Sequence, residues 1–335
     1  MLEKPGIEDD RIIRCLKENF GLHAGQLTFL PIGADVNTAV YRARTEDGKD
    51  WFVKLRRGDF PAASVLVPQY LKEQGLREVI APIPAPDGSL WADLAPYKLI
   101  LFPFIEGRDG FEQSLSDAEW EAFGAALRRF HDTRFPAEIC AGVPREDFSP
   151  RWREEVKEFL ERIHRDKWTD PSAVGLATFL RGKESETLAL VERCEGLVQE
   201  MHRKSTDFVL CHGDIHAWNL LVQDEHIFFI VDWDTLLFAP RERDLMFIGA
   251  GLGGRGPSPE EEESLFYRGY GAVSIDADAL LYYRLERVIE DIAAYCEQLF
   301  LSDEGGDDRE QALLNVKSNF EPGGTIELAF RTKTV

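Results

Sequence analysis

Apolar positions recur at helical spacing from the start of the chain, where "EDDRIIRCLKENF" sets Ile12, Ile13, Leu16 and Phe20 on one face. The period then shortens. "QLTFLPIG", "AVYRART" and "WFVKLRR" are short strand-like runs broken by Gly33 and by the turn signal "EDGKD". A helix is predicted from about Ala62 to Glu73, ended by Gly75. "YKLILFPFIEG" reads as a buried strand running into Pro103 and Gly107, and the change of character there sets a lobe boundary near residue 106. The expected division is a small β-rich N-terminal lobe, 1–105, and a larger mainly helical C-terminal lobe, 106–335.

Beyond that boundary the pattern is helical. Ser116 and Glu119 form an S-x-x-E capping box ahead of Trp120, Phe123, Leu127 and Phe130. Pro150 opens a segment with Trp152, Val156, Phe159 and Ile163 on one side, and a third helix runs through "ETLALVERCEGLVQEMH". One β island interrupts the helices: "DFVLCHGD", a polar loop, "NLLV", the turn "QDEH", and "IFFIVDWD". Further helices are predicted at "PEEEESLFYRGYG" and "ALLYYRLERVIEDIAAYCEQL". The fold class expected is α+β with two lobes.

Composition narrows the setting. At 335 residues the chain exceeds the usual size of one hydrophobic core. No apolar run approaches the roughly 18 residues of a membrane span, and "MLEKPGIEDD" lacks the apolar core of a signal peptide, so a cytoplasmic protein without a membrane partner is expected. The five cysteines are scattered without CxxC spacing, which fits reduced thiols and neither a disulfide frame nor a zinc site. Cys211 reads as a small buried strand residue. A net charge of −21 would repel nucleic-acid phosphates. Eleven acids face three basic residues between Asp276 and Glu310, either a solvated face or a field that concentrates a cationic substrate.

The polar loop of the β island carries the candidate chemistry. His212-x-Asp214 followed by Asn219 is an H-x-D-x-x-x-x-N pattern with a strand on each side, and Asp232 ends the next strand. Phosphoryl transfer from a nucleotide needs a magnesium clamp, a cation on the phosphates, and a group that orients the acceptor hydroxyl. Asp214 suits the last role, and Asn219 and Asp232 suit a hard metal. Lys54, on "WFVKLRR", could reach the phosphates. Each residue alone is unremarkable; their joint order is what points to a phosphotransferase site. His216 with His212 and Asp214 invites a metal-hydrolase reading, but no distant His/Cys pair completes a zinc site.

"CHGDIHAWNLL" with "FIVDWD" resembles the aminoglycoside phosphotransferase family, within the protein-kinase-like fold, and the similarity runs over almost the whole chain. "SPRWREEV", "APRERDLMFIGAGLGG", "FYRGYG" and "YYRLERVIEDIAAY" are similar to the branch that phosphorylates spectinomycin on a ring hydroxyl. The resemblance implies ATP or GTP and Mg²⁺ as cofactors, Asp214 as catalytic base, Asn219 and Asp232 as magnesium ligands, and Lys54 on the phosphates. It further implies a turn over the phosphates from Gly33 through Ala34, Asp35 and Asn37 to Thr38. The hinge from Leu101 to Ile105, including Phe102 and Phe104, would bond adenine through its backbone. His212 would brace the loop. A kinase for another small alcohol, of choline, methylthioribose or homoserine type, would share these motifs, and so would a catalytically silent nucleotide-binding protein.

Three features depart from that pattern. "GADVNT" holds a single glycine, Gly33. The stretch after Lys54 offers only Asp59 early and Glu73 late, so the carboxylate expected to orient Lys54 is missing from its usual place. Trp218 stands before Asn219 where small residues are common, to shape the acceptor pocket or to pack beneath the loop. Asp234 is expected on the same side as Asp232 if the strand continues, as a supporting or acceptor-facing group, or else as a cap of the next turn. Asp244 in "RERDL" suits a helix cap, with support of the loop as the alternative. On "YYRLERVIEDIAAY", a buried stripe of Leu281, Leu285, Val288, Ile292 and Leu299 leaves Tyr283, Glu286, Arg287 and Glu290 opposite, with Asp291 at the border. These are either ordinary ion pairs or, at Tyr283, Arg287, Glu290 and Asp291, contacts for the amines of a cationic acceptor.

Overall fold

The computed structural model describes residues 4–33, 37–204, 207–223, 227–249, 257–302 and 308–331. In chain order its elements are α1 (Asp9–Phe20), β1 (Ala24–Leu30), β2 (Thr38–Thr45), β3 (Asp50–Arg57), α2 (Ala63–Glu73), β4 (Ala92–Leu94), β5 (Tyr97–Pro103), β6 (Arg108–Asp109) and α3 (Asp117–Asp132). There follow α4 (Arg151–Arg165), α5 (Pro171–Met201), β7 (Val209–Cys211), β8 (Leu220–Gln223), β9 (Ile227–Ile230), β10 (Leu237–Ala239), α6 (Glu242–Leu245), α7 (Pro259–Tyr270), α8 (Ala277–Phe300), α9 (Asp308–Asn319) and α10 (Thr325–Ala329). Two compact units result, one of residues 1–143 with 217–236, the other of 144–216 with 237–335. The boundary expected near residue 106 marks the passage from strands to helices and lies inside the first unit.

In the first unit β1-β2-β3-β5-β4 form one antiparallel sheet. Strand alternation sends Val53 and Leu55 to the face where they pack with Leu99, Leu101, Tyr41 and the α1 residues Ile12 and Leu16. The other face packs Ile100 with Val65 of α2 and with Leu90. Lys54 pairs across the sheet with Ile100, so it belongs to the face that α2 covers. Gly21 ends α1 in the left-handed conformation, φ 65°, and its N–H returns to Lys17.

A smaller sheet, β6-β8-β9, completes this unit. Its β8–β9 hairpin pairs Leu220 with Ile230, and the Ile230 N–H donates to the Glu78 carbonyl at 2.7 Å. The segment leading through β6 lies close enough that glycine is required. A Cβ at Gly107 would stand 2.7 Å from the Val222 carbonyl oxygen, and one at Gly110 would stand 2.9 Å from that of Ala217. α3 begins with the expected capping box between Ser116 and Glu119.

The second unit is built around α8, which α4, α5, α6, α9 and α10 all touch. That ring of partners explains a difference from the sequence reading. Tyr283 and Glu286 are not on a solvent face: Tyr283 is 2% exposed against Tyr282, and Glu286 pairs with the buried Arg153 of α4. α5 is a single helix of 31 residues, capped by the Asp170 side chain on the Ala173 N–H with Pro171 behind it. The sequence reading reached only its second half, although Ala173, Leu176, Ala177 and Leu180 are buried at helical spacing in the first. β7 and β10 make a short antiparallel ladder. All five cysteines are free, with Cys211 fully buried on β7. Among the described residues, no helix is long and apolar enough to cross a membrane.

Candidate active site

The polar loop begins in the second unit, directly after β7. Asp244, on the short α6, accepts hydrogen bonds from the backbone N–H groups of His212, at 2.8 Å, and Gly213, at 2.7 Å. Its carboxylate thus pins the loop, the alternative left open by the sequence, and the residue at the cap of α6 is Arg241. Gly213 has φ 87°, which only glycine adopts without strain. His212 is fully buried, and its Nδ1 accepts from the Asp214 N–H at 3.4 Å.

These contacts present the Asp214 carboxylate to a guanidinium and an imidazole of the same unit. Arg287 Nη1 donates to it at 2.9 Å, and His216 Nε2 lies 3.2 Å away. Burial pushes the Asp214 carboxyl up, but the bond to His216 and the charge of Arg287 outweigh it and hold the group well below the usual carboxylate range. Arg287 also meets Asp291 at 3.2 Å. Burial, opposed by Arg287 and reinforced by the like charges of Glu290 and Asp214, pushes Asp291 up to about 6. Arg287 and Asp291 therefore stand with Asp214, whereas Tyr283 faces the core, its ring under the Arg243 guanidinium. Glu290 reaches this cluster only as a nearby charge on Arg287 and Asp291.

From Ala217 the loop runs into the first unit. Ala217–Asn219 form one turn of 3₁₀ helix, and the Gly110 N–H donates to the Ala217 carbonyl at 2.9 Å. Trp218 is 62% exposed and leans on Phe111, ring centroids 4.5 Å apart, so it does not pack beneath the loop. Asn219 is buried, and its carbonyl accepts from the Val231 N–H across the β8–β9 hairpin at 3.0 Å. Asp232 follows immediately in the left-handed conformation, φ 62°, uncommon outside glycine and consistent with a side chain held for a purpose. One end of a single hairpin thus carries an amide oxygen and a carboxylate, hard donors that suit Mg²⁺.

Asp232 and Asp234 both meet Lys54, at 3.0 and 2.8 Å. Burial works against the Lys54 charge, but the two carboxylates more than restore it and its pKa is raised. Arg56, two residues along the same strand face, lies 3.6 Å from Asp234 and donates to the Thr38 hydroxyl at 2.9 Å. The sequence reading missed Arg56 and weighed His216 only as a metal ligand with His212 and Asp214. Arg56 was visible as the i+2 neighbour of Lys54, and His216 as the i+2 neighbour of Asp214.

Of the turn before β2, Gly33 has φ 84°, and the Asn37 carbonyl accepts from the Arg57 N–H at 2.8 Å; Ala34 and Asp35 lie outside the described residues. Phe102 lies near the end of β5 opposite Phe52, Phe104 lies under the Arg42 guanidinium at 4.4 Å, and Ile105 follows half-buried.

Residues 28–279 match the model of the phosphotransferase enzyme family. Protein StrN of Streptomyces griseus is 28% identical over 267 residues, 73% of this chain and 77% of that protein. The crystal structure of a spectinomycin phosphotransferase, APH(9)-Ia, in complex with ADP and spectinomycin superposes with a TM-score of 0.90 at 35% identity, covering 99% of this chain and 100% of the other. An amicoumacin kinase solved with AMP-PNP, Ca²⁺ and its antibiotic shares the fold at 14% identity, with a TM-score of 0.63 over 98% of this chain and 95% of its own. The α+β architecture is that of the protein-kinase-like fold, and with three quarters of its length matched the chain belongs to the phosphotransferase enzyme family.

Proposed function

We propose that this protein is a cytoplasmic ATP- and Mg²⁺-dependent kinase that phosphorylates a ring hydroxyl of spectinomycin and so inactivates the antibiotic. The observation that carries the choice of acceptor is the likeness to the spectinomycin phosphotransferase, which extends over the whole chain at 35% identity. Family membership supports the reaction class.

Asp214 is the catalytic base. It remains a carboxylate at neutral pH because His216 and Arg287 stabilise its charge against burial. It orients the acceptor hydroxyl and takes its proton as the oxygen bonds to the γ-phosphorus and ADP departs. Asp244 and His212 fix the loop beneath it, so the carboxylate is already in place when the acceptor arrives. Lys54 neutralises the nucleotide phosphates. The segment from Leu101 to Ile105 bonds the purine through its backbone. Asn219 and Asp232 are the residues that would hold Mg²⁺, which when bound screens the phosphate charge and favours transfer. Asp291 and Glu290 supply negative charge for the amines of the acceptor, with Arg287 shared between Asp291 and the base.

The test is product formation by purified protein with ATP and Mg²⁺, offered spectinomycin, kanamycin, streptomycin and choline separately. A phosphate ester formed on spectinomycin alone is the expected result. Turnover confined to choline or kanamycin would move the acceptor assignment, and ATP binding without any product would remove the kinase activity.

A further inference from the structure

A lysine that holds nucleotide phosphates needs a carboxylate to aim it, and α2 supplies none in the expected place. Its single acid, Glu73, sits in the last position and accepts a hydrogen bond from Gln69. The side chain of Lys54 is only 14% exposed, so its ammonium requires a partner. Among the described residues its partners are the two aspartates of "DWD".

Those two differ. The Asp232 side chain is 53% exposed and leaves the hairpin at a left-handed residue. Asp234 is 18% exposed and sits in a 3₁₀ turn, Trp233–Thr235, that is anchored from behind. The Trp233 indole N–H donates to the Ile230 carbonyl at 3.2 Å, and its ring stands edge-on to Phe130 with centroids 5.1 Å apart. The same turn packs on α2. Asp234 also lies near Arg56, which reaches Thr38 at the start of β2. One half-buried carboxylate therefore gathers both cations of this strand face, while Asp232 has a different chemistry open to it at the end of the hairpin.

We propose that Asp234 takes the place of the absent helix glutamate and is the positioning residue that aims Lys54 at the nucleotide phosphates. The inference rests on the kinase reading above and assigns Asp234 to the nucleotide, not to the acceptor. It predicts a specific pattern of coupling. Substituting Asp234 by alanine should weaken ATP affinity roughly tenfold, the weight of one charge-assisted contact, and should leave the spectinomycin KM within about twofold.

The experiment is a double-mutant cycle on ATP dissociation constants, measured calorimetrically with Mg²⁺ present, over Lys54→Ala, Asp234→Ala and the pair. The pair should lose no more affinity than Lys54→Ala alone, and Asp234→Glu should recover most of the loss. Asp234→Asn, which keeps the shape, serves if the alanine variant folds poorly. Additive losses, unchanged ATP affinity, or an equal loss of spectinomycin binding would each overturn the proposal. Wild-type protein that binds no ATP would overturn the kinase reading and this inference together. Wild-type protein that binds ATP but prefers another acceptor would correct only the acceptor, and the cycle would still decide the role of Asp234.

Discussion

At Asp214 burial and charge act in opposite directions, and the balance sets what the residue can do. A quarter-exposed carboxylate would ordinarily bind its proton more tightly, yet His216 and Arg287 keep it ionised. Asp291, which shares Arg287, falls on the other side of the balance and is pushed up to about 6. Its folded-state pKa lies above the unfolded value near ~4. The bound proton therefore stabilises the fold fully below that unfolded value, and the contribution is lost as pH rises through about 6. Asp291→Asn removes this dependence. Its stability relative to the wild type should rise between acidic and neutral pH, as read by urea unfolding at a series of pH values; a constant difference would refute the assignment. Much at this scale was legible in the chain. Asp214, Asn219, Asp232 and Lys54 stand out because their order and spacing are unusual together. Arg56, and the part His216 plays beside Asp214, were harder to read, because i+2 spacing marks a neighbour without saying which carboxylate it will find.

The elements that hold these residues depend on close backbone contact as well as on side-chain hydrogen bonds. The turn Ala217–Asn219 is pressed against Gly110 so tightly that a methyl group there would meet the Ala217 carbonyl. Gly110→Ala should therefore displace the turn, costing about 1–3 kcal/mol and lowering transfer in parallel, measurable by thermal unfolding and initial rates. In the second unit, α4 and α8 are joined by the ion pair of Arg153 with Glu286, to which the Cys194 thiol also donates at 3.2 Å. Burial pushes the Glu286 carboxyl up despite its partner. Glu286→Ala leaves a buried guanidinium without its carboxylate and should destabilise by about 3–5 kcal/mol, whereas replacing both residues with apolar ones of similar volume should recover most of that. Unfolding free energies of the two variants check it. This pair shows why α8 was read in part wrongly. Periodicity finds the apolar stripe of a helix, but a helix ringed by five others buries polar residues too, and their partners come from distant sequence. The capping box of α3, by contrast, was legible because cap and helix are local.

For the whole molecule, charge is the property with consequences beyond any one contact. A net charge of −21 and the acidic stretch from Asp276 to Glu310 favour the approach of cations. If the acceptor is cationic, kcat/KM for it should fall as NaCl is raised, while turnover of a neutral acceptor analogue changes little. Steady-state kinetics over a salt series decides this. The central claim, that Asp214 activates an acceptor hydroxyl toward ATP, is tested most directly by following γ-phosphate transfer to spectinomycin with wild-type protein and with Asp214→Asn. The account predicts a phosphorylated antibiotic from the wild type and a rate about 10²–10⁴-fold lower in the variant, with ATP affinity preserved. Transfer undiminished in Asp214→Asn would contradict it.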